Sequence, residues 1–303
     1  MAASSALPIS RFVVKKVPAI ETAEGDGARV RRSIEHAGFP DHPHRGMTTV
    51  TYLLEGQVQH EDFAGHAGTI GPGDVQWMNA GKGIMHAEMP IHRDAQGNKL
   101  VDPNGLQLWL DLPAVAKKEP PAYQEYKADM LPTAKPRASE PVETEGHGWT
   151  VKVVAGESHG AKSPIELPQN GGVVYVDVRL EGKGRIFQEI PRGFNAFMYT
   201  LKGKVRVGDD AQGAVYDRYH TMVLSNEPES GANGVWIENA SDDVSDEARF
   251  ILVAGEPLSQ GVVQYGPFVM TNRAEIQQTL MDFQYGANGF ERAPGWKSKI
   301  GGR

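Results

Sequence analysis

Short apolar runs separated by turns that contain glycine and proline are the main pattern along this chain of 303 residues. Runs such as residues 50–58 and 105–112 are rich in β-branched, aromatic and other apolar residues, which favours strands over helices. Glu55-Gly56 predicts a tight turn, and Gly71-Pro72-Gly73-Asp74 has Pro and Gly at the two central positions of a type II turn. The first half is therefore predicted to form an antiparallel barrel of short strands, to which residues 11–17 and 28–34 add further strands.

The second half of the chain repeats this pattern in outline. The segment MYTLKGKVRVG at residues 198–208 is similar to TYLLEGQVQHE at residues 51–61, and a shift of 147 residues places Gly203 on Gly56. Prolines interleaved with Lys and Glu at residues 113–148 indicate a linker along the surface, in which residues 123–130 form a strand or a short helical turn. The predicted division is an N-terminal barrel at residues 1–130, a C-terminal barrel at 131–270, and a helix with a tail at 271–303.

One helix is predicted near the end of the chain. Asn272 is a good N-cap with Glu275 three residues later, which is a capping-box pattern, and Gly286 suits the C-terminal cap. The tail beyond it contains Phe290 and Trp296 as aromatic anchors, so we expect it to pack back on the barrels. The apolar face of the helix is predicted to consist of Ile276, Leu280 and Phe283.

Composition and charge exclude several classes of function. The net charge is −7, which argues against direct binding of nucleic acid, because such binding depends on Lys and Arg neutralising phosphates. The chain has no cysteine, so disulfides and thiolate metal sites are excluded. No apolar run approaches the length of a membrane span. We expect a soluble intracellular protein of the nucleus and cytoplasm.

Two pairs of residues with metal-binding side chains stand out in the first half. His42 and His44 lie two residues apart, and so do His86 and Glu88. Because side chains alternate between the two faces of a strand, each pair projects to one side. The strands and the turn between the two pairs bring the chain back to the first pair. The sequence therefore predicts that three imidazoles and one carboxylate meet inside the first barrel and bind a metal ion.

The predicted donor set leaves one or two coordination positions open on a five- or six-coordinate ion. This favours non-haem iron, with manganese, nickel, copper and zinc as competitors. An open position would let a substrate bind the metal while Glu88 accepts its proton as a general base. His60 and His66 lie between the two pairs, and we predict that both are surface or rim residues.

Several longer motifs resemble those of the pirin family, which belongs to the cupin superfamily. They include FPDHPHRG from residue 39, PGDVQWMNAGKGIMHAEMP from residue 72, GLQLWLDL from residue 105 and GFERAPGWKSKIG from residue 289. The resemblance runs from about Gly27 to the C-terminus. It implies an all-β bicupin, with two cupin-type β-barrels, one iron ion in the N-terminal barrel and none in the other. The family's iron ligands correspond to His42, His44, His86 and Glu88.

The resemblance also implies two kinds of function. Pirins are regarded as iron-dependent nuclear regulators that bind transcription factors, with the iron redox state as a switch, and plant members associate with a G-protein α-subunit. Several members resemble quercetin 2,3-dioxygenases, in which a flavonol chelates the metal and dioxygen opens its central ring to give a depside and carbon monoxide.

The chain departs from the family pattern in two places. Thr48 stands where pirins usually have a Glu that is not a metal ligand, which removes an acid near the site but should not cost the metal. Between residues 31–34 and 38–46 pirins normally have a further acidic, Phe-rich strand, whereas only Glu35-His36-Ala37 remain here. A barrel without that strand would expose an edge beside the site.

Three hypotheses follow from the sequence. The first is an iron-binding enzyme of the quercetin 2,3-dioxygenase type that acts on a flavonol-like small molecule and dioxygen. The second is a binding module in which the iron tunes affinity for a transcription factor or a G-protein α-subunit, with little or no catalysis. The third is a structural relic without a metal. A monomer is expected, since bicupins already pair two barrels in one chain.

Overall fold

The computed structural model describes residues 9–18, 38–138, 141–168, 172–210, 213–227, 230–243 and 245–301. Strands dominate the described residues. The strands of the first half are β1 Val13–Pro18, β2 Phe39–His44, β3 Met47–Glu55, β4 Val58–Asp62, β5 Ala67–Ile70, β6 Val75–Asn79, β7 Ile84–Pro90, β8 Asn104–Asp111 and β9 Ala122–Tyr126. The following strands are β10 Thr133–Ala134, β11 Gly146–Ala155, β12 Glu157–Ser158, β13 Ala161–Lys162, β14 Val173–Glu189, β15 Asn195–Lys202, β16 Lys204–Val207, β17 Val215–Asp217, β18 His220–Leu224, β19 Gly234–Asn239, β20 Ala248–Gly255, β21 Val263–Tyr265 and β22 Phe268–Met270.

Helical structure is a small part of the described chain. It comprises a 3-10 turn at Ala116–Lys118, a short helix α1 at Val142–Glu145 and the longer helix α2 at Arg273–Tyr285. No helix in the described ranges is long and apolar enough to cross a membrane.

The chain folds into two compact units. Its N-terminal strand belongs to the unit of the second barrel, and its C-terminal segment belongs to the unit of the first barrel. One unit contains β2–β9 together with β21, β22 and α2, and the other contains β1, α1 and β10–β20. This differs from the division predicted at residues 130 and 270, because β1 pairs with β18 while β21 and β22 belong to the unit of the first barrel. The second predicted strand, at residues 28–34, lies outside the described residues.

The first barrel consists of two four-stranded antiparallel sheets that face each other. One sheet has the strand order β2-β7-β4-β5 and the other β8-β3-β6-β9. Strand β9 lies within the proline-rich segment that was predicted to be a linker, and it extends the second sheet by pairing with β6. Alternating side chains of both sheets point inward, so that polar groups from β4, β7, β3 and β8 meet inside the barrel.

The two predicted turns are present, but neither closes a hairpin. Gly56 has φ +71° and Gly73 has φ +83°, which are left-handed conformations that favour glycine. The amide of Asp74 donates to the carbonyl oxygen of Gly71 at 3.0 Å, as the predicted turn requires. Strands β3 and β4, and likewise β5 and β6, lie in different sheets. Each turn therefore carries the chain from one wall of the barrel to the other.

The C-terminal segment packs within the same unit as the first barrel. Asn272 caps α2 by accepting a hydrogen bond from the amide of Glu275 at 2.9 Å, and Gly286 ends the helix in the left-handed conformation. The predicted apolar face is only partly correct, because Leu280 is 38% exposed. The residues of α2 that are buried are Ile276, Thr279 and Asp282.

The polar residues on this buried face are held by one arginine. Arg45, directly after β2, donates to Asp282 at 2.7 Å and to Thr279 at 3.1 Å. Its guanidinium also lies 4.6 Å from the ring centre of Phe290, which is completely buried. Ile276 and Phe283 of the predicted face do pack in an apolar cluster with Phe268 and Phe290. Apolar spacing alone misses the polar part of the buried face, which pairs with Arg45.

The second barrel is built around one long strand. β14 pairs with β11, β19 and β20, and the sheet continues through β15, β18 and β16. Gly203, with φ +69°, turns the chain between β15 and β16 as Gly56 does between β3 and β4. The interior is mainly apolar. Its buried residues include Val151, Val176, Ile186, Met198, Val235, Phe250 and Leu252.

Candidate metal centre

Three of the predicted site residues converge inside the first barrel. His42 on β2 lies directly opposite His86 on β7 in the antiparallel ladder, so both side chains point to the same face of the sheet. His44 follows two residues after His42 and joins them. One nitrogen atom from each of the three rings lies within 4.8 Å of the others. His44 and His86 are buried, while His42 is half-buried.

Hydrogen bonding defines the state of these rings. His42 Nδ1 lies 2.8 Å from the carbonyl oxygen of Pro40, which can only accept, so Nδ1 carries the proton in the neutral ring. The Nε2 atom of His42 is then unprotonated and can only accept a hydrogen bond. It lies 2.8 Å from Nε2 of His86. If His86 donates there, its Nδ1 is left as an unprotonated acceptor.

The surroundings keep two of the imidazoles neutral. Burial, reinforced by repulsion from His42, lowers the pKa of His44 to about 3 although a hydrogen bond to Pro267 acts in the opposite direction. Burial and the neighbouring imidazoles of His42, His44 and His60 hold the pKa of His86 well below its usual range. Neutral imidazoles are the form that binds metal ions.

Glu88 lies beside this group but is not part of the set of nitrogen atoms within 4.8 Å. Its carboxylate accepts hydrogen bonds from two residues of the opposite sheet, Thr51 on β3 at 3.1 Å and Gln107 on β8 at 2.9 Å. Glu88 is buried, with 4% of its surface exposed. The sequence motifs identified Glu88 but gave no indication of Thr51 and Gln107, because their contacts cross between the sheets.

The residues present fit a bound divalent cation. The Nδ1 atom of His86 is buried and has no hydrogen-bond partner among the described residues, although a buried polar atom without a partner is costly. Three imidazoles with an adjacent carboxylate are a common donor set for iron, zinc, nickel and copper. A cation at this position would be bound by nitrogen atoms that already lie within 4.8 Å of one another.

His60 is not the rim residue that was predicted. It is 3% exposed, and its Nε2 lies 2.7 Å from the hydroxyl of Tyr123 and 2.8 Å from Glu125, both on β9. Burial, followed by the charge of Glu125, raises the pKa of Tyr123. His66 is exposed as expected and bonds to Asp62 at 2.6 Å. The burial of His60 depends on β9, which lies where a strand or a short helical turn was predicted within the linker, but whose place in the second sheet was not predicted.

Of the two positions where the chain departs from the family pattern, the structure describes Thr48 but not the shortened segment before Phe39. Thr48 is buried and donates to Asn79 at 2.6 Å, so a hydroxyl–amide pair occupies the place of the acid. Within the described residues β2 pairs only with β7, which leaves it at the edge of its sheet. The shortened segment before Phe39 lies outside the described residues. In the second barrel, the position corresponding to His42 is Glu189, which is exposed at the end of β14.

Comparison with known proteins identifies relatives over nearly the whole chain. The sequence model of the family "Pirin" matches residues 10–110, and that of the "Pirin C-terminal cupin domain" matches residues 175–289. The chain is 42% identical to Pirin from Homo sapiens over 314 aligned positions, which cover 96% of this chain and 99% of that protein. It is also 42% identical to Pirin-like protein 2 from Arabidopsis thaliana, with 96% and 89% covered.

A solved structure agrees with this relationship. Quercetin 2,3-dioxygenase from Acinetobacter baumannii superposes with a TM-score of 0.73 at 27% identity, covering 92% of this chain and 98% of that one. The predicted fold class, all-β with two cupin-type barrels, is thereby confirmed. The sequence identity and coverage of the relatives, together with both family matches, show that this chain belongs to the pirin family.

Proposed function

We propose that this chain is an iron-binding dioxygenase of the quercetin 2,3-dioxygenase type. The observation that carries the proposal is the convergence of three imidazole nitrogens within 4.8 Å of one another, beside the carboxylate of Glu88. The resemblance to the Acinetobacter baumannii quercetin 2,3-dioxygenase supports the choice of reaction. The substrates would be a flavonol-like molecule and dioxygen, and the products a depside and carbon monoxide.

The side chains of the centre would have different roles in binding the metal and in proton transfer. His42, His44 and His86 would hold one Fe²⁺ or Fe³⁺ ion per chain with Glu88 as fourth ligand, and other divalent metals would compete for the same donors. When bound, the ion supplies a Lewis acid for the oxygen atoms of the flavonol and redox chemistry for dioxygen. Glu88 would accept the proton of the flavonol hydroxyl as general base.

The rest of the barrel would support this chemistry. Thr51 and Gln107 each donate a hydrogen bond to one oxygen of Glu88, and these contacts hold the carboxylate in place. His44 and His86 are almost completely buried, so water is excluded on that side of the centre. His42 is half-buried and is therefore the most accessible of the three histidines.

Flavonol turnover tests the proposal. After loading with Fe²⁺ under oxygen, the parent protein should bleach the absorption band of quercetin and release carbon monoxide. Removal of a ligand should abolish this, so His44→Ala and Glu88→Ala are expected to lose turnover by at least about a hundred-fold. Turnover equal to the parent in both variants would show that the reaction does not depend on this centre.

A specific contact favours a second candidate, a redox-dependent binding module. Arg45 follows His44 directly and is bonded to α2, whose outer side exposes Leu280, Met281 and Tyr285. A change at the metal centre could thus reach an exposed apolar surface. The partner would be a transcription factor or a G-protein α-subunit in the nucleus or cytoplasm. This protein would bind the partner as a monomer and would not contact nucleic acid itself.

This candidate predicts different affinities of the Fe²⁺ and Fe³⁺ forms. Pull-down of the partner by both forms would measure the difference, because a redox state can shift binding only through differential affinity. Equal recovery in both states would contradict it.

A further inference from the structure

Glu88 is held from the opposite sheet by two residues with different surroundings. Thr51 is buried, whereas Gln107 is exposed to solvent although its amide reaches the buried carboxylate. Gln107 Nε2 lies 2.9 Å from Glu88 Oε2 and 3.2 Å from the hydroxyl of Thr51. Gln107 therefore connects the interior of the first barrel with its surface.

The orientation of the Gln107 amide is fixed by a neighbour on the same strand. Trp109 Nε1 lies 3.0 Å from Gln107 Oε1, and an indole N–H can only donate. The oxygen of the amide must face Trp109, so its NH₂ group must face Glu88. If the amide were reversed, its oxygen would lie against a carboxylate and its NH₂ against the N–H of Trp109.

Trp109 also touches the histidine group. Its ring lies edge-on to His44, with ring centres 5.4 Å apart and an angle of 86° between the planes. Two residues of β8 thus contact two of the proposed ligands from one side. Trp109 packs on the ring of His44 and orients Gln107, and Gln107 orients the carboxylate of Glu88.

We propose that Gln107 is a positioning residue for Glu88 and that Trp109 acts through it. The inference rests on the proposed function, in that Glu88 is taken as the fourth ligand and the base. By donating to one oxygen of Glu88, Gln107 leaves the carboxylate in a single orientation toward the three imidazoles.

The test uses the full-length protein and Co²⁺ as a spectroscopic probe of the site. Gln107→Leu removes the donor at nearly constant size, and Trp109→Phe removes the N–H but keeps a ring against His44. Gln59→Leu is the matched control, because Gln59 lies on β4 of the same barrel between the inward-facing residues Val58 and His60. Co²⁺ affinity, the visible absorption of the bound ion and the unfolding midpoint would be measured for each variant.

The expected result is a loss of affinity in both test variants without a comparable loss of stability. Gln107→Leu should weaken Co²⁺ binding by about ten-fold and alter the absorption spectrum, as expected when a hydrogen bond to a ligand is removed. Trp109→Phe should act in the same direction, and the double variant should bind within about two-fold of Gln107→Leu, because both changes remove one chain of contacts. Gln59→Leu should match the parent.

Three outcomes would overturn the inference. In the first, Gln107→Leu binds Co²⁺ with the affinity and the absorption spectrum of the parent. In the second, Gln59→Leu loses as much Co²⁺ affinity as Gln107→Leu. In the third, the loss of affinity in the double variant equals the product of the losses in Gln107→Leu and Trp109→Phe. If the parent binds Co²⁺ and Gln107→Leu weakens that binding, but the parent does not turn over flavonols, the inference is supported. Only the proposed dioxygenase activity is then contradicted. A parent that binds no Co²⁺ would overturn both.

Discussion

At the scale of single residues, Gly68 shows how closely the two sheets of the first barrel approach each other. A Cβ atom at this position would lie 2.7 Å from His60 Nε2 and 2.8 Å from Glu125 Oε2. The contact between His60 on one sheet and Glu125 on the other therefore passes directly over the backbone of β5. A glycine is required there by space and not by backbone conformation.

The first prediction concerns this close approach. Gly68→Ala should lower the free energy of unfolding by about 1–3 kcal/mol, because the methyl group must displace a buried hydrogen-bonded pair. Gly71→Ala is the matched control, since its Cβ would meet only Asp74 at 3.9 Å. Urea denaturation measures both. Equal stability of the two variants would contradict the packing described for His60 and Glu125.

The sequence predicted the residues of the centre better than their surroundings. The spacing of His42, His44 and His86 on adjacent strands was sufficient to bring the three rings together, because alternation along a strand is a local property. The roles of Gln107 and His60 could not be predicted, since their partners lie on strands of the other sheet. Which strands face each other depends on the whole barrel.

At the scale of elements, α2 is held in place by a buried ion pair as well as by its apolar residues. Arg45 and Asp282 have side chains only 6% and 5% exposed. Burial alone would raise the pKa of Asp282, but hydrogen bonds from Arg45, Gln278 and Asn288 outweigh it and lower the pKa. The folded state therefore favours the ionised carboxylate of Asp282.

The second prediction follows from the sign of this shift. A lowered pKa in the folded state stabilises the protein above the unfolded value of about 3.9, and the contribution is lost as the pH falls through the folded value. Asp282→Asn should thus cost about 3 kcal/mol near neutral pH, where Arg45 loses its buried partner, and the cost should shrink as the pH falls below about 3.9. The exposed Asp129→Asn serves as control in unfolding measurements over the same pH range. A cost for Asp282→Asn that does not change with pH would contradict the assignment.

Pairing between elements was the part of the fold that the sequence predicted least well. Gly56 and Gly73 identified two turns correctly, yet the strands on either side of each turn lie in different sheets. A tight turn and a crossing between sheets use the same residue types, because both need a positive φ. Local composition could not separate them, and only the packing of complete sheets does.

At the scale of the whole molecule, the chain is divided into two units of different chemical character. The interior of the unit that contains β2–β9 holds the group of three histidines and Glu88, whereas the core of the other unit is mainly apolar, with isolated buried polar residues such as Gln188 and Asn239. Among the described residues, the only group of three or more metal-binding side chains is that of His42, His44 and His86. A metal ion should therefore stabilise one unit selectively.

The third prediction is that metal loading protects only the unit with the centre. A divalent ion present at about 100 times its dissociation constant should stabilise that unit by about 2.7 kcal/mol. Hydrogen exchange followed by mass spectrometry should show slower exchange in β2 and β7, and no change in β14 and β20. His86→Gln should abolish the protection. Equal protection of both units would indicate binding elsewhere in the chain.

The metal content of the purified protein tests the central claim most directly. After loading with Fe²⁺ without oxygen and removal of free metal, elemental analysis should find about one equivalent per chain in the parent. His44→Gln and His86→Gln should retain less than about a tenth of that amount, with circular dichroism showing that both variants are folded. A parent without bound metal, or folded variants that retain as much metal as the parent, would contradict the account.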